Sequence, residues 1–138
     1  NKRFIMIGNG ENIKSIAYVE NLASFISATL LLKNGTHIFN YADKPDLSMN
    51  ELVKITRKTL GIKTKVRFKL PYFVGLIIGY FFDIISFLFS KNFAISSIRI
   101  KKFCSNSIIT SKVKKSFFTP PHSLEVAIKK TICQEFKK

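Results

Sequence analysis

Apolar positions along the chain recur at two spacings, strand-like in short stretches and helical in longer ones, and the two kinds alternate. Residues 4–7 (FIMI) read as a short strand. Gly8-Asn9-Gly10-Glu11-Asn12 follows as a turn of the residue types that tolerate positive φ, expected to be a plain hairpin turn. Residues 14–19 read as a second strand. Asn21 stands where it can cap a helix over 22–32, with Leu22, Phe25, Ile26, Thr29 and Leu30 on one face. Asn34-Gly35 ends that helix, and 37–41 reads as a short strand. Ser48-Met49-Asn50-Glu51 has the form of a capping box. Met49, Leu52, Ile55, Thr56 and Leu60 then hold a helical period as far as Gly61. Residues 65–70 alternate basic and apolar like an exposed strand, and 96–104 reads as a basic helix. After Pro120-Pro121, Ser123 can cap a last helix in which Leu124, Ile128, Ile132 and Phe136 repeat every four residues. The order of elements predicts a mixed α/β fold, with no repeats and no low-complexity linker.

The longest apolar run, residues 70–90 (LPYFVGLIIGYFFDIISFLFS), opens at Pro71 and contains one acid, Asp83. About 20 helical residues are some 30 Å long, enough to cross a bilayer core. Gly75, Gly79, Asp83, Ser86 and Ser90 fall on one side of such a helix. That stripe permits close approach of another element at Gly75-x-x-x-Gly79 and would turn Asp83 towards protein. Phe73, Ile77, Ile84 and Phe87 would then face something apolar. Lys69 and Lys91 flank both ends, so charge sets no orientation. Spanning a membrane, lying in its interface and being buried in protein all stay open.

The 138 residues make one domain or part of one, long enough to bury a core. With 46% hydrophobic and 22% charged residues, disorder is excluded as the default. Lys and Arg number 23 against 8 Asp and Glu; residues 1–60 carry +3 and residues 61–138 carry +12. A basic surface on that scale suits nucleic acid, an anionic membrane or a phosphorylated ligand. Nucleic acid is disfavoured, because the phenylalanines sit in apolar runs and no RNA- or DNA-binding motif is present. Cys104 and Cys133 form no CxxC and have two histidines for company. They fit buried thiols in a reducing compartment and no zinc site. The chain opens on Asn1 and runs at once into a strand pattern, as if cut from something longer.

Catalytic chemistry is sparse. Gly8-Asn9-Gly10 lacks the third glycine of a dinucleotide fingerprint, Ile13 standing in its place, and leads into a strand rather than a helix N-terminus. Tyr18, Tyr41, Tyr72 and Tyr80 are followed four residues on by Leu22, Pro45, Leu76 and Ile84, so no Tyr-x-x-x-Lys pair exists. No Ser/His/acid or Cys/His set is organised. What remains is Arg99, Lys101 and Lys102 within four positions; an Arg fork with lysines suits a diphosphate. A merely solvated basic face is the alternative.

Five blocks in order (GNGENIKSIAYVENLASFI, HIFNYADKPDLSMNELV, LPYFVGLIIGYFFDIISF, SSIRIKKFC and TSKVKKSFFTPPHSLEVAIKKTICQEF) resemble the C-terminal part of the NAD-dependent epimerase/dehydratase family, the extended short-chain dehydrogenases. The resemblance covers nearly the whole chain. It implies the last strand and helices of the nucleotide fold, with Asn40 ending that strand, plus a small, largely helical substrate-binding lobe. It also implies three substrate-binding positions. Lys14 stands where the family has an Arg on the diphosphate. Arg99, a dozen residues before Ser111-Lys112, stands at a second diphosphate Arg. Lys102 replaces an acid that in relatives touches the ribose, a departure compatible with a polyprenyl diphosphate in place of a nucleotide. NAD is implied as cofactor, taking a hydride from the sugar C4 and returning it to the other face. Its Gly-rich loop, the catalytic Tyr and Lys and the Ser/Thr at the sugar all fall upstream of Asn1 in relatives, so no catalytic residue is assigned here.

The resulting expectation is the C-terminal part of a bacterial sugar 4-epimerase acting on a diphosphate-linked N-acetylhexosamine, carried on undecaprenyl diphosphate, in surface polysaccharide biosynthesis. Its place would be the cytoplasm or the cytoplasmic face of the inner membrane, with an anionic membrane surface as partner; a homodimer is left open. A soluble UDP-sugar epimerase or dehydratase and a non-catalytic membrane-associated remnant are the alternatives.

Overall fold

A computed structural model of the chain describes residues 5–64, 66, 68–91, 93–111, 113–114 and 116–136. Of the positions used above, Phe4, Lys65, Arg67 and Lys112 lie outside the described residues. The elements are β1 (Met6–Ile7), β2 (Ile13–Ile16), α1 (Val19–Thr29), β3 (Asp43–Ser48), α2 (Met49–Thr59), β4 (Lys69–Leu70), α3 (Tyr72–Phe89), α4 (Ser97–Cys104) and α5 (Leu124–Phe136). The fold is mixed α/β, as expected from the alternating periods.

The glycine turn is present but joins no hairpin. β1 pairs in parallel with β4 (Met6 opposite Lys69), whereas β2 pairs antiparallel with β3 (Ile13 opposite Ser48, Ile16 opposite Asp43). Residues 8–12 therefore carry the chain from one two-stranded sheet to the other. Gly8 and Gly10 take φ of 78° and 75°, and a Cβ on Gly10 would collide with the Asn50 side-chain amide. The second strand is shorter than its apolar pattern, since α1 already begins at Val19.

Asn21 does not cap α1. Tyr18 holds the cap position, and its backbone N–H donates to Asp43 Oδ2 at 2.7 Å. Asn21 is fully buried one turn in. Its Nδ2 donates to Asp43 Oδ1 (3.0 Å) and to the His122 carbonyl (2.8 Å), and its Oδ1 accepts from the His122 N–H (3.0 Å). A buried amide with every contact satisfied pins α1 to the start of β3 and to the loop before α5. Only Phe25 of the proposed apolar face is buried; Ile26 and Leu30 point outward. Residues 37–41 form no strand, because no ladder partner lies beside them among the described residues. Instead Phe39 and Tyr41 pack with Phe117 and Phe118 around the Phe25 ring.

The capping box is formed: Ser48 Oγ accepts from the Glu51 N–H (3.2 Å) while the Glu51 carboxylate accepts from the Ser48 N–H (2.8 Å). α2 stands between the two core clusters. Met49 and Val53 join Met6 with Phe103 against them, and Leu52, Ile55 and Leu60 close over Leu124, Ile128 and Ile132 of α5. Burying each such side chain stabilises the fold by about 1.5–3 kcal/mol. Phe136 leaves this row and is exposed, because three steps of four residues drift about 120° around a 3.6-residue helix.

α3 begins after Pro71, ends at Ser90 in the left-handed region, and among the described residues is long and apolar enough to cross a membrane. Of its 18 residues only Gly75 and Gly79 are buried, and both lie on the side facing α4.

Candidate functional site

The site is built on α4, which sits between the glycine stripe of α3 and the turn after β1. Ser96 caps it, its Oγ accepting from the Arg99 N–H at 3.3 Å, so α4 starts where the sequence places it. Ile100 is buried and fixes the rotation of the helix, leaving Arg99, Lys101 and Lys102 exposed around it. A Cβ on Gly79 would lie 2.8 Å from both Cα and N of Ser97, so only glycine lets α3 approach this closely.

Arg99 borders a cavity of about 420 Å³ whose walls come from Ile7 of β1, Leu70 of β4, Ile78 of α3 and Ile95, Ile100 and Phe103 around α4. Its Nη1 donates to the Ala94 carbonyl at 2.9 Å, which holds the guanidinium at the rim. Among the described residues no other partner of the guanidinium is formed.

Lys14 lies at the other end of α4. Its Nζ donates to the carbonyls of Lys102 and Ser105, each at 2.7 Å. Those are C-terminal helix carbonyls, which a cation stabilises. The fold thus joins two of the expected ligands through the Lys102 backbone, while Arg99 stands at the opposite end of the helix. Among the described residues these two carbonyls take two of the three donors of the Lys14 ammonium.

Lys101, part of the basic run suited to a diphosphate but not among the three positions implied by the resemblance, is held by α3. Its Nζ donates to the Tyr80 hydroxyl at 2.9 Å and lies 5.2 Å from the Tyr80 ring centroid. The tyrosine hydrogen bond raises the Lys101 pKa, so the ammonium stays charged. Lys101 borders a cleft of about 370 Å³ with Gly8, Asn9, Tyr72, Cys104 and Ser105. The signal available in the sequence was spacing: Tyr72 and Tyr80 share a face of α3 at i, i+8.

The two cysteines are not alike. Cys104 is half-buried, with its Sγ 3.4 Å from the Ile7 carbonyl, and burial pushes its thiol pKa up. Cys133 is exposed, contrary to the expectation of two buried thiols, because it falls outside the Leu124/Ile128/Ile132 face of α5. Among the described residues no group of His, Cys, Asp and Glu could hold a metal. The Gly8–Gly10 turn does not fit a dinucleotide either. It passes into β2, and the helix N-terminus that meets it is already occupied: the Met49 and Asn50 N–H groups of α2 donate to the Asn12 and Gly10 carbonyls at 3.0 and 2.9 Å.

No protein-family model matches the chain, and no solved structure does. The chain is 42% identical over 138 residues to the N-acetyl-alpha-D-glucosaminyl-diphospho-ditrans,octacis-undecaprenol 4-epimerase of Escherichia coli O157:H7. The match covers 97% of this chain and 41% of that enzyme, so the chain spans about two fifths of its relative's length. What the chain is similar to is the C-terminal part of an epimerase named for a diphospho-undecaprenol sugar.

Proposed function

We propose that the chain forms the substrate-binding part of a sugar 4-epimerase acting on an N-acetylhexosamine joined through a diphosphate to undecaprenol. The observation that carries this reading is the 42% identity across 97% of the chain to an enzyme of that name. Arg99, with its fork open at a cavity rim, supports it, since the planar guanidinium suits a diphosphate. In this reading Lys14 and Lys102 add positive charge at the far end of α4, and a UDP-sugar is the less suited substrate. NAD is the cofactor of the whole enzyme; the residues described here do not fit it, and it would be held outside residues 1–138.

α3 is proposed to lie along the membrane that holds the lipid carrier. Its outer face exposes Phe73, Ile77, Phe81, Ile84 and Phe87, with Lys69 and Lys91 at its ends. A spanning orientation is disfavoured because α4, bearing Arg99, Lys101 and Lys102, is packed along the inner face. It would be drawn into hydrocarbon with α3. The arrangement suits a helix resting in the headgroup region of an anionic leaflet.

The test is turnover by the full-length polypeptide with NAD. N-acetylglucosaminyl-diphospho-undecaprenol should be converted to its C4 epimer, and UDP-N-acetylglucosamine should not. Conversion of the nucleotide sugar alone would replace this reading with the soluble nucleotide-sugar enzyme, and turnover of neither would leave a non-catalytic protein. Co-sedimentation with anionic vesicles, partly reversed by high salt, checks the placement of α3; equal recovery in the supernatant with and without vesicles would refute it.

A further inference from the structure

The cavity beside Arg99 is unusual for a site that receives a charged ligand. Among the described residues its lining offers no side-chain hydroxyl, amide or carboxylate; Arg99 is the one polar side chain among them, and the rest is aliphatic or aromatic apart from Gly75. A volume of about 420 Å³ lies in the range of small-molecule sites, which normally carry several placed polar groups. A nucleobase, whose edge asks for hydrogen-bonding partners, gains little from such walls. A branched hydrocarbon chain gains from all of them. The cavity also leads outward along apolar surface: Ile78 lines it, and Phe81, one turn further on α3, is 60% exposed on the helix exterior.

We propose that this cavity is a prenyl subsite: Arg99 holds the diphosphate at the rim and the cavity takes the first isoprene units of the carrier, whose remainder leaves along the apolar face of α3. The inference rests on the reading of the substrate as a polyprenyl-diphosphate sugar and adds where the lipid is recognised. Ile100 forms the floor. Gly75 keeps α3 close, since a Cβ there would come within 2.7 Å of Ile7 Cγ2.

The experiment measures binding of inorganic pyrophosphate, dimethylallyl, geranyl and farnesyl diphosphate, and UDP to the full-length polypeptide by titration calorimetry. Affinity should rise at least about tenfold from dimethylallyl to farnesyl diphosphate, given the gain per buried methylene, and UDP should bind no more tightly than pyrophosphate. Ile95→Asn should abolish the dependence on prenyl length while leaving pyrophosphate binding within about twofold, because it makes the wall polar without adding charge beside Arg99. Arg99→Ala should weaken pyrophosphate and every prenyl diphosphate by one common factor of about tenfold. Ile78→Ser is the second wall variant should Ile95→Asn fail to fold. Affinity that ignores prenyl length, or UDP binding as tightly as geranyl diphosphate, would overturn the subsite. The two readings separate cleanly. Epimerisation of the lipid-linked sugar with flat length dependence sinks the subsite alone, whereas length dependence without epimerisation sinks the activity alone.

Discussion

The Asp83 carboxylate, set among the apolar residues of α3, accepts a hydrogen bond from the Ser97 backbone N–H at 3.2 Å, at the first turn of α4. An acid at that position answers an orphan helix N–H and the positive end of the helix dipole. The one charge in the apolar run therefore faces protein, and it fastens α4 rather than interrupting α3. Asp83→Ala should lower stability by about 1–2 kcal/mol, from the lost charged hydrogen bond and the lost dipole contact. Thermal unfolding of the two proteins checks it, and Asp83→Asn should recover part of the loss.

The two buried glycines of α3 should respond differently to alanine. At Gly79 the added methyl meets backbone, Ser97 Cα and N at 2.8 Å, and α4 must move. At Gly75 it meets Ile7 Cγ2 at 2.7 Å, a branch methyl on Cβ that gives way only if the Ile7 χ1 changes. Alanine gains about 1 kcal/mol of helix propensity at either site, against about 1–3 kcal/mol for overpacking. Gly79→Ala should therefore be the more destabilising of the two, and Gly75→Ala the milder, since a side chain yields more readily than backbone. Denaturant midpoints of the two variants measured side by side check the ordering.

Asp43 is 2% exposed and receives three hydrogen bonds, from the Tyr18 N–H, Asn21 Nδ2 and the Tyr41 hydroxyl (2.6 Å). Burial first, and then this bond, drive the Tyr41 pKa well above its ordinary value, so the phenol keeps its proton as donor. Asp43→Ala strands three donors in the interior and should cost about 2–4 kcal/mol. Asn21→Ala should cost less, and the double variant less than the sum, because both break one network. Chemical denaturation of the cycle checks the non-additivity.

Stability should fall on the acid side. The Ser48 N–H, then the Ser48 hydroxyl, hold the Glu51 carboxyl below its ordinary value of 4.5; Lys44 and then Ser15 do the same for Asp46 below 3.8. Both pKa values are lower in the folded state. Their contributions are therefore present above the unfolded values and lost as pH falls through the folded ones. Glu51 is exposed, and Asp46, with 19% of its side chain exposed, is paired to the exposed Lys44, so each effect is small. Glu51→Gln with Asp46→Asn should flatten the stability profile below about pH 4.5 and lower stability slightly at pH 7, where the parent has both contributions in full. Urea midpoints between pH 2.5 and 7 check it.

Local chemistry explains why several elements were legible in the sequence. The capping box, the α2 period up to Gly61, the start of α4 at Ser96 and the glycine stripe of α3 each depend on residues within one or two turns. The run Arg99, Lys101 and Lys102 is local in the same sense, but the fold separates its members, Arg99 at the apolar cavity and Lys101 against Tyr80. Three readings failed because distant partners decided them: the hairpin at 8–12, the strand at 37–41 and the cap at Asn21. A strand exists only where another strand accepts its hydrogen bonds, and an asparagine caps or is buried according to what packs above it.

The sequence alone determined the helices, the apolar run with its single acid, the basic excess after Gly61 and the resemblance to an epimerase's C-terminal part. Only the tertiary structure decided that Asp83 turns to α4, that Lys14 reaches the carbonyls at the far end of α4, and that Arg99 opens on an apolar cavity. The physical reason is range. Propensity, capping and periodicity act over a few residues, whereas burial and polar satisfaction depend on segments some 90 positions apart, as Lys14 and Ser105 are, with a separation of 91.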